Sequence, residues 1–150
     1  MRHISGPGLE LIKHFERFYS VRYFCPARIW TIGFGHVILP GEIFNEPIDI
    51  DLGITILRKD VVLAEHSVLR LICVPLEDGQ FDALTSFSFN LGGGSLQRSA
   101  LRSRVNREDA AADVAMEFMR WVWAGGRKLN GLIRRRRAEA DLYRYGQFAL

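Results

Sequence analysis

The chain has only two cysteines, Cys25 and Cys73, and neither lies in a paired-motif spacing. That excludes a disulfide framework. Its four histidines, His3, His14, His36 and His66, form no ligand pattern such as His-x-x-x-His, so no metal centre is expected and no cofactor is implied. No uninterrupted apolar run reaches the ~18 residues that a membrane span needs. The opening Met-Arg-His-Ile-Ser-Gly-Pro-Gly is too short and polar for a signal h-region, so membrane insertion is not expected. Internal repeats, low-complexity tracts and a second-domain linker are also missing.

What remains is an ordinary globular composition, 48% apolar and 25% charged over 150 residues, enough for one domain or two small lobes sharing a core. The net charge of +3 is concentrated in the C-terminal half, above all in Arg134-Arg135-Arg136-Arg137. Such a run favours a polyanion: wall polymers with peptide carboxylates, nucleic acids or anionic lipids. At about 100° per residue, four consecutive arginines cannot share one helix face, so at most one or two can reach a site.

The strongest chemical signal runs from His14 to Val37. Glu16 closes an apolar helical pattern made by Leu9, Ile12, Phe15 and Tyr19, which places its carboxyl at a helix end beside apolar surface. A partly desolvated carboxyl resists ionisation and can serve as a general acid. Eight residues separate Glu16 from Cys25, and five more separate Cys25 from Thr31. Thr31 lies in the β-branched and aromatic run Ile29-Trp30-Thr31-Ile32, so helix, turn and strand can bring all three side chains to one cleft. Taken singly, each has a plain structural reading: a solvated helix-end Glu, a buried thiol and a strand Thr. Gly33 and Gly35 permit a sharp turn after the strand.

Around this segment the patterning predicts a first helix from about Leu9 to Tyr19 and a small β lobe at about 21–50. A long helix from an Asp51 N-cap to about Leu71 follows, ended by Cys73-Val74-Pro75. The central helix runs from Asp78 to Leu91 and stops at Gly92-Gly93-Gly94. Ser95 to Val105 reads as one short helix. Asn106 reads as the cap of a helix from Glu108 to Trp123, with Ala110, Val114, Phe118 and Trp121 buried. Gly125-Gly126 turns the chain into a last helix from Leu132 to Tyr145, with Ile133, Leu142 and Tyr143 inward.

The Glu-x8-Cys-x5-Thr spacing, followed by the turn Ile32-Gly33-Phe34-Gly35-His36, resembles the phage-type lysozymes, the endolysin family of glycoside hydrolases. Gln80-Phe81-Asp82-Ala83-Leu84, Phe89-Asn90-Leu91-Gly92 and the segment from Phe118 through the Gly-Leu-Ile-Arg-Arg-Arg run are similar to the family as well. The resemblance spans nearly the whole chain and is weakest from Gly41 to Ile72. It implies an α+β, lysozyme-like fold in a single domain of residues 1–150: a small β lobe and a mostly helical larger lobe, joined by a long helix, with a substrate groove between. It also implies catalytic Glu16, Cys25 and Thr31; substrate contacts from Val37, Phe89, Asn90 and Ser99; and supporting roles for His36, under the Gly-x-Gly turn, and for Arg134 or Arg135, one of which would pair with Glu16. Two residues depart from the family pattern, since Arg17 and Arg28 stand where glycine is usual. Position 25 more often holds Asp, and a thiol there needs either a depressed pKa, which Arg22 and Arg28 are placed to supply, or a role limited to positioning water.

The activity implied is hydrolysis of the β-1,4 bond between N-acetylmuramic acid and N-acetylglucosamine in bacterial peptidoglycan, for host lysis by a phage or prophage. Such a protein would act as a monomer. It would stay in the host cytoplasm until a holin-like hole opens the membrane, then work in the periplasm or cell wall. One rival is a lytic transglycosylase, which cleaves the same bond without water; the Cys and Thr available to position water argue against it. A nucleic-acid module resting on the arginine run lacks a recognition motif or stacking platform. A wall-binding protein without activity would not fill all three catalytic positions.

Overall fold

The computed structural model describes residues 1–150. The elements are α1 (Gly6–Glu16), β1 (Tyr19–Phe24), β2 (Trp30–Gly33), β3 (His36–Val37), α2 (Ile50–Leu71), α3 (Asp78–Leu91), α4 (Gly93–Gln97), α5 (Ala100–Asn106), α6 (Ala111–Phe118), β4 (Trp123–Ala124), β5 (Arg127–Lys128) and α7 (Asn130–Tyr145). The chain is α+β. It divides into two compact units, Lys13–Val62 and Met1–Ile12 with Leu63–Leu150.

In the smaller unit, β1, β2 and β3 form an antiparallel meander. Tyr23 pairs with Thr31 and Phe24 with Trp30, and on the other side Thr31 pairs with Val37. Because side chains alternate across a strand, Tyr23, Thr31 and Val37 share one face of the sheet. The other carries Phe24 stacked on Trp30 at 3.7 Å between centroids, with Arg22 over the indole. Ile32, Phe34, Ile48, Leu57 and Val61 are buried. A Cβ at Gly53 would stand 2.6 Å from the Phe18 ring, so glycine is what lets the start of α2 approach so closely.

Helix α1 starts and ends three residues before the predicted span. Asp82 sets its start, accepting the N–H groups of Ser5 at 2.9 Å and Gly8 at 3.2 Å and the Ser5 hydroxyl. Arg17 sets its end: its φ of +62° is left-handed and breaks the helical repeat. Tyr19 therefore opens β1 and is not helical. The N-cap of α2 is Asp49, whose Oδ1 accepts the Leu52 N–H at 2.8 Å, while Asp51 lies inside the first turn.

In the larger unit, α3 has the predicted bounds, with Gln80 accepting the Glu77 N–H at its start and Gly92 at φ +88° past its end. Phe87 of α3 meets Phe118 of α6 and Trp121 edge to face, and Phe118 meets Tyr143 of α7. Four predicted boundaries shift. The single helix from Ser95 to Val105 is two, because Ser99 caps a new start by accepting the Arg102 N–H at 3.0 Å. Asn106 caps no following helix; its side chain binds Cys73 N–H and the Leu71 carbonyl, fastening the end of α2. Helix α6 is short because Glu108 takes a left-handed φ of +57°, which leaves Ala110 exposed. Beyond it, Gly125 and Gly126 both have positive φ, as a two-residue hairpin turn requires, and their flanks pair as β4 and β5. Helix α7 begins two residues earlier than predicted, and Ile133 is half-buried.

Candidate active site

Glu16 is the last residue of α1 and is half-buried. Its carboxylate lies against the backbone of the β2–β3 turn: a Cβ on Gly35 would come 2.9 Å from Glu16 Oε2. Gly35 also has φ +79°. Two independent constraints therefore demand glycine there, one from backbone conformation and one from contact with the carboxylate.

Cys25 is partly exposed and lies in the turn between β1 and β2, which is closed by Arg28 N–H to the Cys25 carbonyl at 2.7 Å. Hydrogen bonds from the backbone of Ile29 and Ala27 and from the Thr31 side chain outweigh the opposing effect of desolvation and hold its thiol below the ordinary value. The sequence pointed to Arg22 and Arg28 as the cause. Instead, backbone amides and Thr31 do it, while Arg22 covers Trp30 and lies 4.0 Å from Glu46. Thr31 is buried, and its hydroxyl has a bond to the Ile29 carbonyl at 3.0 Å. A hydroxyl has one proton, so it donates to Ile29 when Cys25 is a thiol and can swing to the sulfur when it is a thiolate.

Tyr23 completes this face and was missed in the sequence, although its place two residues before Cys25 would have shown it once the β1–β2 register was known. Burial, then Tyr19, Glu16 and Cys25, push its phenol above the ordinary range. It therefore stays a neutral donor near both candidate catalytic groups.

His36 is buried, with Nδ1 2.8 Å from Asp60 and Nε2 2.9 Å from Glu42. Two carboxylates on two ring nitrogens require both nitrogens to donate, which is the imidazolium form. Burial alone would lower its pKa, but Glu42 and Asp60 outweigh it and raise it. Val37 is exposed beside Thr31 on the sheet.

The remaining predicted residues belong to the larger unit. Phe89 and Asn90 are half-buried near the end of α3, and Asn90 Oδ1 accepts from Arg136 at 2.8 Å. Ser99 is buried, and its hydroxyl is engaged as a cap and as a donor to Leu96 O at 2.7 Å. It lines a cavity of about 430 Å³ with Arg98, Ala100, Glu117, Arg120 and Trp121. Arg134 and Arg137 are exposed, whereas Arg135 and Arg136 are buried around Glu139. No group of three His, Cys, Asp or Glu side chains is placed to hold a metal ion.

Comparison with known proteins places this geometry in a family. The family model described as phage lysozyme matches residues 13–139. The endolysin of Acyrthosiphon pisum secondary endosymbiont phage 1 is 35% identical over 147 residues, covering 94% of this chain and 97% of that one. The endolysin of Bacillus phage B103 is 34% identical over 149 residues, covering 96% of this chain but 55% of that protein, so the chain spans about half of that longer relative. Among solved structures, the endolysin from Escherichia coli O157:H7 phage FAHEc1 superposes with a TM-score of 0.88 at 31% identity, covering 99% of this chain and 98% of that one. With its lysozyme-like α+β fold and a family match running from Lys13 to Glu139, the chain belongs to the phage lysozyme family.

Proposed function

We propose that the protein is an endolysin muramidase that hydrolyses the β-1,4 bond between N-acetylmuramic acid and N-acetylglucosamine in bacterial peptidoglycan, for host cell lysis. One observation carries the reading: Glu16, whose carboxylate is seated against the Gly35 backbone, occurs in the same small unit as Cys25 and Thr31. In this mechanism Glu16 protonates the leaving glycosidic oxygen. A water accepted by the Thr31 oxygen and the Cys25 thiolate attacks the anomeric carbon from the other side of the ring and gives its proton to the sulfur. Direct attack by water inverts the configuration. Tyr23, a neutral phenol, is a donor to that water or to the sugar.

Val37, Phe89 and Asn90 are the substrate contacts in this proposal. Arg135 takes the supporting role over Arg134, since a buried guanidinium is fixed and an exposed one is not. Ser99 contributes by shaping the cavity wall, because its hydroxyl is already engaged on both sides. His36 supports the turn that carries Gly35. The substrate lies outside the cytoplasmic membrane, and the protein reaches it as a monomer once a separate, holin-like hole has opened that membrane.

The test is turbidity clearing of permeabilised Gram-negative cells by wild type and by Glu16→Gln, an almost isosteric change that cannot donate the catalytic proton. Loss of clearing in a folded variant is expected. Clearing within about tenfold of wild type, a barrier change of only ~1.4 kcal/mol, would remove Glu16 from the acid role.

A further inference from the structure

We infer that Arg136 is a positioning residue for substrate specificity: it locks the Asn90 amide so that its NH2 group points outward as a fixed donor to an oxygen of the glycan, an N-acetyl carbonyl or a hydroxyl. The inference rests on the glycan-cleaving reading above. Arg136 is fully buried and tied on several sides. Its Nη2 donates to Glu139 Oε1 at 3.0 Å and its Nη1 to the Trp121 carbonyl at 3.4 Å, while its Nε makes a charge contact with Glu139 Oε2 at 2.7 Å that is not aligned as a hydrogen bond. The guanidinium also sits over the Phe87 ring. Glu139 is itself fixed by Ser86 at 2.7 Å and by Arg135. A planar group held this way has no freedom to follow a neighbour.

Its remaining bond is Nη2 to Asn90 Oδ1 at 2.8 Å. The two ends of an amide look alike, but a guanidinium offers only donors. Turning the Asn90 NH2 toward it would set donor against donor, so chemistry fixes the flip. The Asn90 Nδ2 then makes no hydrogen bond within the chain and is not enclosed. The result is an oriented donor whose acceptor must come from outside. Without Arg136 the same asparagine would offer either end, and the subsite would not discriminate a sugar oxygen from a sugar N–H.

Asn90→Asp separates this role from a purely structural one. A carboxylate anchors Arg136 at least as well as the amide, yet presents an outward oxygen that repels acceptors. Titration calorimetry with soluble peptidoglycan glycan strands, in the Glu16→Gln background so that nothing is cleaved, reads the subsite without turnover. Asn90→Asp and Asn90→Ala should each weaken Kd by about tenfold or more, the loss of one oriented hydrogen bond, and Asn90→Asp should keep the thermal midpoint. Arg136→Gln should weaken Kd similarly, but add nothing in the Asn90→Ala background, because it acts through Asn90. Should Arg136→Gln not fold, the Asn90→Asp measurement decides alone. Wild-type Kd in Asn90→Asp would overturn the inference. Strands bound normally by wild type but left uncut would instead sink the proposed reaction and leave the subsite standing.

Discussion

At the scale of single residues, the geometry around Cys25 and Glu16 makes sharp demands. Thr31→Val deletes a donor to the sulfur while keeping volume, so the pH at which Cys25 reaches half-maximal alkylation should rise from below the ordinary thiol value toward it. Activity should fall by about 10²-fold or more, the scale of a lost base. A pH profile of alkylation that does not move would show that the backbone amides alone set the thiol. Cys25→Asp should stay active and resist thiol reagents, whereas Cys25→Ala should be strongly impaired. Gly35→Ala is a second residue-scale case. Left-handed φ costs a residue with a Cβ about 1–2 kcal/mol, and the new methyl must also displace Glu16 Oε2. Thermal unfolding should drop by roughly 2–4 °C per kcal/mol, while activity falls by about 10²-fold, because a small misplacement of the acid is costly. Equal and modest losses in both would mean the contact with Glu16 does not matter.

At the scale of elements, the two departures from the family pattern are both strained. Arg17 and Arg28 have φ of +62° and +60°, at the end of α1 and in the β1–β2 turn. Replacing either by glycine should stabilise the protein by up to ~1 kcal/mol, the left-handed penalty less the greater unfolded-state freedom of glycine. Denaturant midpoints that fall would show those side chains make contacts worth more than the strain. The positions of α3, α7 and the β1–β2 hairpin were legible in the sequence because apolar periodicity, the glycines flanking α3 and α7, and the β-branched and aromatic run Ile29-Trp30-Thr31-Ile32 set them locally. Two of the misplaced boundaries trace to distant polar side chains, Asn106 and Asp82, and others to left-handed Arg17 and Glu108. Asn106 was read as a helix cap, yet its amide binds residues more than thirty positions away in sequence. Ser99, expected as a sugar contact, also caps the start of α5. Asp82, which fixes the start of α1, gives no local sign of doing so. Glu16, Cys25 and Thr31 were legible as a spacing, whereas Tyr23 needed the strand register and the Arg136–Asn90 pair needed the packed larger unit.

On the scale of the whole molecule, stability should carry a signature of the His36 cluster, which links β3, the following loop and α2 through Glu42 and Asp60. Its folded pKa is raised, so its contribution is fully present below the unfolded value of about 6.5 and is lost as pH rises through the folded pKa. Glu42 is held low by the Leu39 N–H and by His36, so at the acid end the contribution fades only as pH falls through that lowered carboxylate value. His36→Gln should cost about 1.5–3 kcal/mol, the worth of charge-assisted hydrogen bonds, near pH 5–6, and progressively less at alkaline pH. A cost independent of pH across that range would mean His36 is neutral in the fold. The reaction itself has the most direct test of all: proton NMR following the sugars released from peptidoglycan strands by the wild-type enzyme. A hydrated reducing end that first appears in the inverted, α configuration is expected from water held by Cys25 and Thr31. First product in the retained β configuration, or an anhydro sugar, would contradict it.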